Sequence, residues 1–206
     1  MMNTPATPDT TPTPATATAT AAIKPANILN GLDVDGLNDL IGSVKANKQA
    51  GDTHWCVNTL WQDGARSVSH VDGYAIGGQR VERKFTLNVD EPRELGGSNT
   101  AANPQEHLLT ALNTCMLMGY VAGATLFGIR LTRLEIRSEG DIDLRGFLGV
   151  DPRVPNGYTD LHYTVRIAGD GTAEQFERLH KLVQETSPNY WNIARPIRLH
   201  ANLIVE

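Results

Sequence analysis

The spacing of apolar residues changes along this chain, and each change predicts a different element. In residues 33–50, Val34, Leu37, Leu40, Ile41 and Val44 recur at three- and four-residue intervals. That marks one face of a helix, which Gly51 is placed to end. From residue 53 the interval falls to two. The stretches THWCVNTLWQDG, ARSVSHVDGYAIGG and QRVERKFTLNVDEP alternate and are separated by turn residues, which predicts an antiparallel meander. Pro92 and Gly96-Gly97 break that pattern. Asn103 can then cap a helix, Pro104 suits its first position and Glu106 completes a capping box. The helix is expected over 103–128. Residues 108–129 carry no charge and are apolar on every side, so the helix is expected to be buried all round.

After Gly128 the alternation returns in LTRLEIRSEG, in DIDLRG and most cleanly in LHYTVRIAG, where Leu161, Tyr163, Val165 and Ile167 share a face. Thr172 and Gln175 open a second amphipathic helix with Phe176, Leu179, Leu182 and Val183 inward. Ser187-Pro188 starts a short helical turn. IRLHANLIV closes the chain as a predicted strand with Ile197, Leu199, Ala201, Leu203 and Val205 on one side. Runs of strands with segregated helices indicate an α+β fold and not a wound parallel sheet.

The charge-free run is long enough to cross a bilayer. Its small residues Ala111, Cys115, Gly119 and Gly123 also have the spacing that lets membrane helices approach closely. Against a span, the run holds Asn113, three threonines and three glycines, and it lies between strand-like soluble segments. We read it as the core helix of a soluble protein with no membrane association. The small stripe then suits close contact between two copies of this helix across a dimer axis.

Composition narrows the function. A net charge of −5 with no Lys/Arg-rich run argues against nucleic acid as a partner. Two cysteines, Cys56 and Cys115, are too few for a disulfide scaffold or an all-cysteine zinc site, and they fit a reducing cytoplasm. The histidines have no ligand spacing, and His162, His180 and His200 are expected on solvated surface. No phosphate loop or nucleophile elbow is present, so neither a cofactor nor a metal is expected. The N-terminus has no secretory or mitochondrial signal pattern. Residues 1–22, almost wholly Thr, Ala and Pro, read as a disordered tail. Residues 23–51 read as a helical extension, and 52–206 as the main domain.

The segment NVDEPRELGGSNTAANPQEHLLTALNTC, followed by GYVAGATLFGIRLTRLEI, GDIDLRGFLG, VPNGYTDLHYTVRI and ETSPNYWNIARPI, resembles the OsmC/Ohr (osmotically inducible protein C) family across roughly residues 52–205. The pattern Pro-x-Glu-x-Leu-Leu-x-Ala-Leu-x-x-Cys, here Pro104 to Cys115, is its most specific part. The resemblance implies antiparallel sheets around a long central helix, in an intertwined homodimer with active sites at the dimer interface. It also implies reduction of organic hydroperoxides or hydrogen peroxide by a peroxidatic cysteine on that helix. An arginine from the N-terminal sheet and a glutamate near the helix start assist, and a second, late cysteine closes a disulfide.

Carried over, Cys115 takes the peroxidatic position. It lies about three turns into its helix, beyond the reach of the helix dipole, so a cation must be supplied. A small core cysteine at a tight helix contact is the other reading of Cys115. Arg66, after the turn DGAR, is the candidate cation, with Arg80 and Arg83 in reserve; a solvated hairpin arginine is its alternative. Glu106 stands nine residues before Cys115, while the family glutamate stands ten before, where this chain has Gln105. Glu106 therefore either caps its own helix or pairs with an arginine. The second cysteine belongs just before Pro188, where this chain has Ser187. Two readings follow. One is a single-cysteine hydroperoxide reductase whose sulfenate is resolved by an external thiol. The other is a non-catalytic dimer that binds a small apolar molecule.

Overall fold

The computed structural model describes residues 27–206. The expected tail at 1–22 lies outside the described residues. The chain opens with a small hairpin, β1 (Ile28–Leu29) and β2 (Leu32–Asp33). Helix α1 follows at Val34–Ala46, capped by the Asp33 carboxylate, which accepts the Asp35 N–H. It stops at Asn47, short of Gly51, because Asn47 leaves helical geometry and its side chain caps a 3-10 turn over Lys48–Gly51.

The expected meander is present. Strand β5 (Arg66–Ile76) is flanked by β6 (Gln79–Val89) on one edge and on the other by β3 (Thr53–Trp55) and β4 (Asn58–Asp63), all antiparallel. What reads as one strand, THWCVNTLWQDG, is broken at Cys56-Val57 into β3 and β4. A bulge between Val71 and Gly73 offsets the two halves of β5. Arg83 lies over the rings of Trp55, Tyr74 and Phe85, which puts these aromatics on one face of the sheet.

Helix α2 (Pro104–Leu126) starts at the Asn103 capping box. The loop entering it is organised by Asp90, whose buried carboxylate accepts the backbone N–H groups of Glu91, Ser98 and Thr100 and the Thr100 hydroxyl. These bonds, led by that from the Thr100 N–H, hold the Asp90 carboxyl down to about 2. A depressed carboxylate stabilises the fold above its unfolded pKa, near 4, and that contribution is lost as pH falls toward 2. Amide exchange of residues 98–100 is therefore expected to speed up between about pH 4 and pH 2, beyond its intrinsic pH dependence. Unchanged protection down to pH 2 would contradict this role.

Beyond α2 come β7 (Leu131–Glu139), α3 (Leu144–Phe147), β8 (His162–Gly169), α4 (Ala173–Thr186) and α5 (Pro188–Ala194), with β7 and β8 paired antiparallel. The stretch DIDLRG, which alternates in sequence, forms the helical turn α3 instead. Asp143 caps that turn by accepting the Arg145 N–H, and a cap overrides two residues of alternation. Helix α4 opens at Thr172 and Gln175 as expected, and the two residues form a capping box.

The core is one cluster: Leu112, Met116, Tyr120, Ala124 and Ile129 from α2 and its C-terminal turn, and Leu179 and Val183 from α4. Tyr163, Val165 and Ile167 of β8 pack on it from the sheet side. No residue of β3–β6 enters this cluster. Helix α2 is not buried all round within one chain, since Leu108, Leu117, Met118 and Leu126 are exposed. Gly119 and Gly123 of the small-residue stripe face α4 of the same chain. A Cβ on Gly119 would touch Val183, and one on Gly123 would stand 2.5 Å from Leu179 Cδ1, so the stripe is where α4 sits down on α2.

Residues 197–205 form no strand. Leu199, Leu203 and Val205 are each more than four-fifths exposed. Alternation specifies which side chains share a face, but a strand also needs a partner for its backbone, and one chain does not supply it here.

The N-terminal hairpin has a definite seat. Asn30, in the left-handed region at φ 51°, donates its side-chain amide to Thr125 Oγ1 and to the Ile129 carbonyl. Its side-chain oxygen accepts the Leu131 N–H at 2.9 Å. The hairpin is thereby fastened to the C-terminal end of α2, with α1 leading away from it.

Candidate functional site

Cys115 lies midway along α2, half-buried, between the core residues Leu112 and Met116. Opposite it is the corner between α4 and α5. The Ser187 hydroxyl donates to Cys115 Sγ at 3.4 Å. Ser187 is only 4% exposed and is the N-cap of α5, its Oγ also accepting the Tyr190 N–H at 3.4 Å. Asn189 donates to the Ala111 carbonyl at 2.8 Å, one turn before Cys115, and ties α5 to the same stretch of α2. The residue standing where the motif places a second cysteine therefore meets Cys115 within one chain. A hydroxyl can hydrogen-bond sulfur there but cannot bridge to it.

The other site candidates are placed elsewhere. Arg66 begins β5 and is ion-paired with Asp63 of its own hairpin, Nη2–Oδ1 2.6 Å, with both side chains largely exposed. Glu106 caps its own helix: Oε2 accepts the Asn103 N–H at 2.8 Å, and the Asn103 side chain accepts the Glu106 N–H at 2.9 Å. Gln105 is exposed on the same turn. Cys56 is free and exposed at the break between β3 and β4, and Cys115 is also free. Arg83 is engaged with the aromatic face of the sheet. The structure thus brings together Cys115 and Ser187, and leaves Arg66 and Glu106 apart from them.

One histidine departs from expectation. His180 is half-buried, and its Nδ1 hydrogen-bonds the hydroxyl of Tyr120, whose ring is fully buried. Burial pushes the Tyr120 phenol well above its ordinary value, and Tyr163 adds to the shift. Gln184 donates to the Tyr163 hydroxyl at 2.7 Å. This cluster lines an open groove of about 870 Å³ between β8 and α4, which Val165, Ile167 and Phe176 also border. Helical spacing carried the missed signal: His180 is one turn before Val183 and Gln184, beside the buried face of α4. Among the described residues, no group of three or more His, Cys, Asp or Glu side chains is arranged to hold a metal ion.

A family model for OsmC-like proteins matches residues 97–201, which include Cys115, Ser187 and the whole core cluster. Solved structures share the fold, among them two OsmC-like proteins. An OsmC-like protein from Mycoplasma pneumoniae aligns with a TM-score of 0.53 at 13% identity, over 68% of this chain and 86% of that one. An OsmC-like protein of unknown function from Vibrio cholerae aligns with a TM-score of 0.50 at 13% identity, over 66% of this chain and 91% of that one. No curated protein matches the sequence.

Proposed function

The chain belongs to the OsmC-like family, and on that premise we propose that it is a cytoplasmic, thiol-dependent hydroperoxide reductase with one redox cysteine, Cys115. The observation that carries this reading is the contact between Cys115 and Ser187. It pairs the two positions at which the family's resemblance expects redox cysteines, with the first retained and the second a serine. The Cys115 thiolate attacks a peroxide oxygen, the S–O bond forms as the O–O bond breaks, and the alkoxide leaves as an alcohol after taking a proton. Sulfur becomes a sulfenic acid. An external thiol condenses with it, releasing water, and a second thiol displaces the mixed disulfide and regenerates Cys115.

The assembled form is a homodimer. Its ground is apolar surface left uncovered in one chain: Leu108, Leu117 and Met118 on α2, and Trp55, Phe85 and Leu87 on the β3–β6 sheet. A second copy lets these surfaces cover each other through an extensive interface. It also brings the sheet that carries Arg66 toward the Cys115 helix, where a guanidinium can polarise the departing oxygen. Light scattering behind a sizing column is expected to give the mass of two chains at micromolar concentration; a monodisperse monomer would remove this part of the reading.

The direct test is stopped-flow oxidation of reduced protein by cumene hydroperoxide and by hydrogen peroxide, with dimedone added to trap sulfenate. Trapping at Cys115 much faster than for free cysteine supports the reading. Oxidation no faster than free cysteine would sink it. It would then favour the second reading, a non-catalytic dimer holding a small apolar molecule in the groove of Val165, Ile167 and Phe176.

A further inference from the structure

We infer that Ser187 is a positioning residue for the chemistry of Cys115: its fixed hydroxyl holds the reacting sulfur and then the sulfenate that replaces it. The inference rests on the hydroperoxide reading above and adds to it a role for the residue that stands where a second thiol is absent.

The Ser187 hydroxyl has little freedom. Ser187 sits at the joint of two helices. Its N–H closes α4 on the Val183 carbonyl at 2.9 Å, and its own carbonyl accepts the Trp191 N–H of α5 at 3.0 Å. Pro188 at the first position of α5 restricts the backbone on the other side. Oγ accepts from the Tyr190 N–H, so a lone pair is already engaged, and the single hydroxyl proton is directed at Cys115 Sγ. Asn189 fixes the corner against α2 through the Ala111 carbonyl. An exposed serine rotates freely among three rotamers, whereas this one is buried and satisfied on both sides.

Such a donor suits each state of the sulfur. Against the thiolate it makes a charge-assisted hydrogen bond that orients one lone pair and leaves the others for attack. After attack the same O–H can donate to the sulfenate oxygen. No bond to Ser187 forms or breaks in either step. Because oxygen there cannot form a disulfide, the sulfenate waits for an external thiol.

Reduced full-length wild type and the variants S187A, S187G and S187T separate this role from helix capping. Cumene hydroperoxide is mixed with each protein, and the second-order rate of sulfenate formation at Cys115 is read by dimedone trapping and mass spectrometry. Glycine is nearly as good an N-cap as serine, whereas alanine costs about 1 kcal/mol of stability, so thermal melts rank the caps independently. S187A and S187G are both expected to react about tenfold more slowly or worse, the loss of one hydrogen bond to a charged atom. S187T, which keeps the hydroxyl, is expected to recover most of the rate relative to S187A. Either hydroxyl-free variant reacting as fast as wild type would overturn the inference while leaving the hydroperoxide reading intact. Wild type reacting no faster than free cysteine defeats the reading itself, and the inference with it, before any variant is compared.

Discussion

Leu179→Ala is expected to lower the unfolding free energy by about 3 to 5 kcal/mol, read from chemical denaturation at fixed protein concentration. The size follows from what surrounds this side chain. Leu179 is 0% exposed and lies in the one buried cluster of the described residues, where α4 meets α2. On the α2 side its partner is Gly123, where even a Cβ would come within 2.5 Å of Leu179 Cδ1. The leucine therefore fills a notch made by a glycine, and the neighbouring helical backbone has no side chain with which to refill it. A cavity that cannot collapse puts the substitution in the upper part of the leucine-to-alanine range. The same notch makes the reverse change costly, since Gly123→Val would drive a branched side chain into Leu179. The consequence reaches the site, because α4 leads directly into Ser187 and the α4–α5 corner. A loss below about 1 kcal/mol would show that α4 is not anchored at this contact.

This contact also marks where sequence reading succeeds and where it stops. The capping boxes at Asn103–Glu106 and Thr172–Gln175 are local, so side-chain type and a three-residue spacing suffice to place the starts of α2 and α4. The alternation of β8 is legible for the same reason, as every second residue from Tyr163 to Ile167 faces the core. The stripe at Ala111, Cys115, Gly119 and Gly123 is legible as a close contact, but periodicity carries no information about the partner. Within this chain Cys115, Gly119 and Gly123 of the stripe meet α4 and the α4–α5 corner. The segment 197–205 shows the same limit, since its alternation is clear while its pairing depends on a remote edge. His180 reads as a solvated residue because its partner, Tyr120, is 60 residues away in the sequence. Arg66 and Glu106 each have a local alternative, a hairpin arginine and a helix cap, and those are the interactions each one makes within this chain.

Ser187→Cys is expected to turn the single-cysteine protein into a disulfide-forming one. Treated with one equivalent of hydroperoxide, the variant should lose two hydrogens in mass by joining Cys115 to the introduced thiol, with no dimedone adduct. Wild type should retain one added oxygen or its dimedone trap. Geometry makes the outcome nearly all-or-none. The serine oxygen already stands 3.4 Å from the sulfur, whereas a disulfide needs about 2.05 Å. A C–S bond is longer than a C–O bond, so sulfur at this position begins closer, and a modest rotation of two side chains closes the remainder. The residues are 72 apart in sequence, so the oxidised form also gains the stability of a long closed loop, roughly 4 kcal/mol in the chain-entropy description. That exceeds the cost of about 1 kcal/mol for losing the hydroxyl cap of α5. Chemically, the introduced thiolate attacks the Cys115 sulfenate and water leaves, the step that oxygen cannot perform. Turnover should then depend on a dithiol able to reduce a buried disulfide, and a small monothiol should become a poor reductant. A persistent sulfenate in this variant would mean that the α4–α5 corner holds position 187 away from the reactive side of Cys115. The hydrogen bond to Ser187 would then be a packing contact of the reduced state alone.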